Sequence, residues 1–207
     1  MPCRYGELFL KFFQNIETFR ALYVLKVETA KGRLKGLYNG GEGMKESSGS
    51  VRKAREGDID QFMSMIMRMK KLNGEFDPLF RTREGDDTSI RDYYLKCIND
   101  HEHFITLVAV KKDKIMGLVK AEIRERISYE PSRELRIVDL YIMPEFRRKN
   151  VGNMLLSGIY SEMKKLGISI ITAEFPSLNL IALNFYEKIG YRQITSVYGK
   201  NIEEDTE

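Results

Sequence analysis

Between residues 135 and 190, strand-like and helix-like segments alternate, each bounded by its own stop signal. Leu135–Met143 is apolar and halts at Pro144. Val151–Leu166 has helical periodicity and closes at Gly167. Ile168–Phe175 is again apolar, and Leu178–Ile189 is helical with Gly190 at its end. Proline cannot continue a central strand, and glycine readily takes the left-handed turn past a helix. Such alternation predicts a mixed α/β domain, with helices laid on a sheet. Upstream, the pattern predicts a strand at Val51–Ala54, a helix over Ile59–Leu72 opened by Asp58, a loop over Asn73–Asp87 and a helix over Ser89–Ile98. Strands Phe104–Val110 and Ile115–Arg126 follow, joined by the turn Lys111–Lys114. Tyr191–Val197 predicts a last strand, so the order is β-α-α-β-β-β-α-β-α-β.

The domain spans residues 44–207, and residues 1–43 read differently. Leu8, Phe9, Phe12, Phe13, Ile16, Phe19, Tyr23 and Val27 recur at helical spacing, and Asn39–Gly43 has linker composition. This predicts an amphipathic helix, read as a packing or homodimer-forming extension. Two other readings are that Met44 is the true start or that the helix lies on a membrane surface. Lys11, Glu17, Arg20 and Lys26 interrupt Leu8–Val27, so no secretory leader is expected. Nowhere do the ~18 consecutive apolar residues of a membrane span occur.

Two cysteines, Cys3 and Cys97, exclude a disulfide scaffold or a Cys-rich zinc site. His101 and His103 cannot build a three-histidine centre, so no metal is expected and the cytoplasm is the expected compartment. A formal net charge of +4 suits an anionic ligand but gives little support to nucleic-acid binding. The 43% apolar content of 207 residues is enough for one good core.

Candidate chemistry sits in two segments. In Leu140–Leu155, a strand runs through a short basic loop straight into a helix, with Arg147, Arg148 and Lys149 at the helix N-terminus. Cations there oppose the helix dipole, while the unpaired N–H groups of a first turn bind phosphate well. An anion would offset the three charges, and Gly152 would let a phosphate approach the backbone. In the second segment, Asn179, Ala182 and Tyr186 fall at i, i+3 and i+7 on one helical face. That face looks like a groove wall with two polar handles, leaving Leu180, Leu183 and Ile189 to the core. Glu174 precedes it near a strand end, where ligand sites of α/β folds gather.

Together the two segments resemble the GNAT superfamily of N-acetyltransferases. Arg147-Arg148-Lys149-Asn150-Val151-Gly152 matches its Arg/Gln-x-x-Gly-x-Gly/Ala motif, with Asn150 in place of the first glycine. Asn179–Tyr191 matches Asn-x-x-Ala-x-x-Phe-Tyr-x-Lys-x-Gly-Tyr in full. The resemblance covers about residues 51–200. It implies a mixed, mostly antiparallel sheet flanked by helices, whose central parallel pair, Leu135–Met143 and Ile168–Phe175, splays to admit acetyl-coenzyme A. Backbone of Leu140, Tyr141 and Ile142 would hold the pantetheine arm and thioester. Amides of Arg148, Lys149, Asn150, Val151, Gly152 and Asn153, behind Arg147, would hold the pyrophosphate. Asn179 would touch the pantetheine arm, and Tyr186 would protonate the leaving thiolate.

The sequence also looks like the ribosomal-protein N-terminal alanine acetyltransferases, in which a glutamate at the offset of Glu174 is the general base. Asp139, Glu122 or a water are rival bases. A carboxylate suits an ammonium that must lose its proton before attack, and strand N–H groups suit the developing oxyanion. The acceptor is then a primary amine, either a protein N-terminus or a small amine such as a polyamine. The alternative is a regulatory module that binds the coenzyme without turning it over.

Overall fold

Ile115–Ala121 is apolar at every position but Gly117 and Lys120, as expected of a strand covered on both faces. In the computed structural model, which describes residues 49–83 and 85–202, it is the middle of a five-stranded sheet. The N-terminal helix, the linker, the start at Met44 and the acid Glu84 lie outside these residues.

The strands are β1 (Ser50–Lys53), β2 (Phe104–Lys111), β3 (Lys114–Glu125), β4 (Arg133–Ile142) and β5 (Ile170–Ala173), in sheet order β1-β2-β3-β4-β5. The first three pairings are antiparallel, and β4–β5 is parallel. Helices α1 (Ile59–Phe76) and α2 (Asp87–Asn99) cover one face, where Phe62, Ile66, Tyr94 and Ile98 pack on Val108, Leu118 and Tyr141. Helices α3 (Val151–Leu166) and α4 (Leu180–Lys188) cover the other, where Leu155, Ile159 and Tyr186 meet Leu107, Val119, Leu135 and Ile137. The result is the three-layer α/β arrangement that the sequence predicts.

Four expectations need correction. The parallel pair closes one end of the sheet instead of lying centrally, because Tyr191–Val197 forms no strand beyond β5. Tyr191 packs on Tyr186, and residues 192–197 are exposed, with Val197 at 90%. Helix α1 runs through Gly74 to Phe76, past the expected stop at Leu72. Next, Asp77 accepts a hydrogen bond from the Leu79 N–H at 2.9 Å and caps a single 3-10 turn, Pro78–Phe80. Finally, Leu180 is exposed, and the core face of α4 is made of Ala182, Phe185, Tyr186 and Ile189. The expected groove face and the core face are therefore largely one.

Candidate active site

The register of β3 against β4 skips Val138: Lys120 pairs with Asp139, and Ala121 with Ile137. A bulge of this kind bends its strand. On its other side, β4 pairs with β5 only over Glu134–Ile137, and a last bond runs from the Glu174 N–H to the Ile137 carbonyl at 2.9 Å. Beyond Ile137 the β5-facing edge of β4 has no ladder partner among the described residues, while its β3-facing edge stays paired to Ile142. Leu140, Tyr141 and Ile142 thus line an opening between two parallel strands.

This opening leads to the basic loop. Arg148 (φ 59°) and Asn150 (φ 63°) both take the left-handed conformation. Left-handed residues at two of three positions curl the chain so that its amides converge, a shape that binds anions. Asn150 is the N-cap of α3 but makes no side-chain cap bond, its Oδ1 instead accepting from Asn153 Nδ2 at 2.7 Å. The first turn of α3 contains no acid. Its amides thus have neither a capping side chain nor an acid, and three cations precede them. A Cβ on Gly152 would lie 3.2 Å from both Ile142 Cδ1 and Phe185 Cζ, so any larger residue would press on these two side chains, while glycine lets the helix start sit close to β4 and α4. Arg147 folds back, with Nε donating to the Ile142 carbonyl at 3.3 Å and its guanidinium 5.9 Å from the Tyr141 ring.

At the end of β5, alternation separates two side chains. Phe175 turns to the α3–α4 face and stacks on Tyr186 at 5.4 Å. Glu174 turns the other way, to Arg136 Nη1 at 3.3 Å, with 63% of its side chain exposed. Arg136 is itself held by buried Glu134 at 2.7 Å. Tyr186 is buried among Phe175, Phe185 and Tyr191, and its hydroxyl finds no hydrogen bond among the described residues. Burial, with Tyr160 nearby, pushes its phenol well above the ordinary value. Asn179 caps α4 by accepting from the Ala182 N–H at 3.1 Å, which leaves its Nδ2 as a donor.

Of the rival bases, Asp139 is 2% exposed and accepts from Lys70 Nζ at 2.9 Å and Tyr94 Oη at 3.0 Å. Glu122 is bound by Arg124 at 2.7 Å and Lys120 at 3.3 Å. Sequence reasoning missed Lys70, Tyr94 and Lys120. The one available signal was Lys120, a lysine between Val119 and Ala121 in an otherwise apolar strand. It is 2% exposed, donates to Tyr93 Oη at 2.7 Å, and has the Tyr93, Tyr94 and Phe104 rings within 5.6 Å. Burial works against its ammonium, but the Tyr93 hydroxyl and Asp139 outweigh that effect and hold it above the ordinary lysine value.

A bulged strand that parts from its parallel neighbour beyond Ile137, beside an uncapped basic helix start, is an arrangement able to hold a phosphate-bearing ligand. The chain belongs to the acetyltransferase (GNAT) family, whose model matches residues 67–191, more than half its length. Acetyl-coenzyme A is the cosubstrate of that family. The uncapped amides and the Gly152 seat fit a pyrophosphate, and the open edge of β4 fits an amide-bearing arm. No curated protein matches the sequence.

Among solved structures, a predicted acetyltransferase with acetyl-CoA from Clostridium acetobutylicum is similar at 17% identity and TM-score 0.62, covering 77% of this chain and 99% of that one. A transcriptional regulator from Bacillus halodurans is similar at 20% identity and TM-score 0.60, covering 74% and 99%. An aminoglycoside 6'-N-acetyltransferase from Acinetobacter haemolyticus is similar at 16% identity and TM-score 0.59, also covering 74% and 99%. At these identities the likeness is one of fold. No helix among the described residues is long and apolar enough to cross a membrane.

Proposed function

We propose that the chain is an N-acetyltransferase that moves an acetyl group from acetyl-coenzyme A to a primary amine by direct attack on the thioester. The observation that carries this reading is the edge of β4 beyond Ile137, which has no ladder partner among the described residues and leads to the uncapped amides of α3. The amides of residues 148–153 bind the pyrophosphate, with Arg147, Arg148 and Lys149 adding charge. Backbone N–H groups of β4 stabilise negative charge developing on the carbonyl oxygen. The Nδ2 of Asn179 holds the pantetheine arm. The bound coenzyme supplies an activated acetyl group with a thiolate leaving group.

Glu174 accepts the ammonium proton, directly or through water. The amine nitrogen bonds to the carbonyl carbon as the C–S bond breaks, Tyr186 protonates the thiolate, and the second proton released by the nitrogen returns to the Tyr186 oxygen. Its raised phenol keeps that proton at physiological pH. The offset of Glu174 supports a likeness to the ribosomal-protein N-terminal alanine acetyltransferases, and hence a protein N-terminus as one acceptor; a small amine such as a polyamine is the other. The free, buried Cys97 suits a reducing compartment such as the cytoplasm. A second reading, a regulatory module that binds coenzyme without turnover, draws support from the burial of Tyr186.

Free-thiol release tests the proposal, using acetyl-coenzyme A with pooled N-terminal peptides, polyamines, lysine peptides and aminoglycosides. Tyr186→Phe and Glu174→Gln should each lower kcat by about 100-fold, the scale of general acid–base catalysis. Near-wild-type release by Glu174→Gln would refute the base assignment alone. Coenzyme binding without release from any pool would favour the regulatory module.

A further inference from the structure

Asp139 immediately precedes the open stretch of β4, and its side chain points to the α1–α2 face. Its two hydrogen-bond donors differ in kind. Tyr94 is 3% exposed and fixed by packing on Phe62, while Lys70 reaches down from α1 with 35% of its side chain in solvent. Lys120 is 3.8 Å from Asp139 and spends its hydrogen bonds on Tyr93 and Glu122. Lys70 is therefore the one cation that donates to Asp139 among the described residues. A deeply buried carboxylate and a fixed hydroxyl receive a primary ammonium at the end of an unbranched alkyl arm that enters from the surface. Thr172 Oγ1, on the same sheet face by strand alternation, is buried without a hydrogen-bond partner.

We propose that Asp139 and Tyr94 form the acceptor's ammonium site, that Lys70 is its built-in occupant, and that the acceptor is an alkyl-chain primary amine that displaces Lys70. This rests on the acetyltransferase reading and narrows it. The unbranched four-carbon arm of Lys70 is the shape the acceptor would mimic, so a primary alkylamine is preferred over a branched α-amino terminus or a sugar ring. Exchange conserves the bond to Asp139, because the incoming ammonium replaces the one it breaks and the buried carboxylate is never left unpaired. Lys70 then acts as a competitor: an acceptor binds only the fraction of molecules whose site is vacated.

Thiol release tests this with acetyl-coenzyme A and 1,4-diaminobutane, Nα-acetyl-lysine amide or an alanine-first peptide. Lys70→Ala should lower the KM for 1,4-diaminobutane by about tenfold. Asp139→Asn should raise it by about 100-fold, as expected when one partner of a buried charged pair is removed, with the acetyl-coenzyme A Kd within about threefold of wild type. If Asp139→Asn fails to fold, Tyr94→Phe deletes one donor and should raise the same KM several-fold. Calorimetry should also detect 1,4-diaminobutane binding to coenzyme-loaded Lys70→Ala. An unchanged KM in Lys70→Ala, a preference of that variant for the alanine-first peptide, or no alkylamine turnover despite bound acetyl-coenzyme A would overturn the inference. Failure to bind acetyl-coenzyme A would instead refute the reading beneath it.

Discussion

Asn150 shows how one substitution can keep a motif's geometry while breaking its pattern. The family motif has glycine there, and the structure needs φ 63°, which asparagine tolerates better than most residues. Its side chain then bonds Asn153 instead of capping the helix, so the amides stay available. Asn150→Gly should leave stability within about 0.5 kcal/mol of wild type and preserve coenzyme affinity. Asn150→Val should cost about 2 kcal/mol through left-handed strain at a β-branched residue. Thermal melts paired with acetyl-coenzyme A titrations check both. The sequence made Asn150, Gly152 and Tyr186 legible because their motifs are local. It did not reveal that the Tyr186 ring belongs to the core, since burial depends on Phe175 arriving from beyond β5 and on Tyr191 folding back past the helix end.

At the scale of elements, β1 and α1 are joined by one ion pair. Arg52 grips buried Asp58 with Nη1 at 2.6 Å and Nη2 at 2.8 Å, and the Arg55 N–H adds a third bond at 2.9 Å. The hydrogen bonds from Arg52 hold the Asp58 carboxyl below its ordinary value of 3.8, even against its burial. A lowered folded pKa means that the stabilisation is fully present above that ordinary value. It is lost as pH falls through the lower, folded one. Asp58→Asn should therefore cost about 2 kcal/mol at pH 7, at the low side because Arg52 keeps 32% of its side chain in water. The gap from wild type should close as pH drops below 3.8; urea melts across that range measure it. Periodicity found all four helices and five strands of the described residues, but not their ends or the bulge at Val138. A bulge reflects the register of two strands, and past Tyr191 the residues 192–197 are exposed and add no strand to the sheet.

Across the whole molecule, the two sheet faces divide the labour. On the proposed reading, the α3–α4 face and the opening of β4 serve the coenzyme, and the α1–α2 face, which carries Asp139, Lys70 and Glu174, serves the amine. The candidate pyrophosphate loop could be named in the sequence because it is one contiguous loop and the helix it opens, and Glu174 and Asp139 could be named as carboxylates, but their partners could not. The proposed amine half draws on α1, α2, β3 and β4, whose meeting depends on tertiary packing; a lone Lys120 in an apolar strand was the only local sign of it.

The most direct test is calorimetric titration of acetyl-coenzyme A into the full chain and into Gly152→Val, whose side chain would collide with Ile142 and Phe185 at the helix start. Binding at one site with a roughly micromolar Kd, about −8 kcal/mol, weakened at least tenfold in Gly152→Val, is the predicted result. No binding by the wild-type chain, or equal binding by a folded Gly152→Val, would contradict a coenzyme site between β4 and the start of α3.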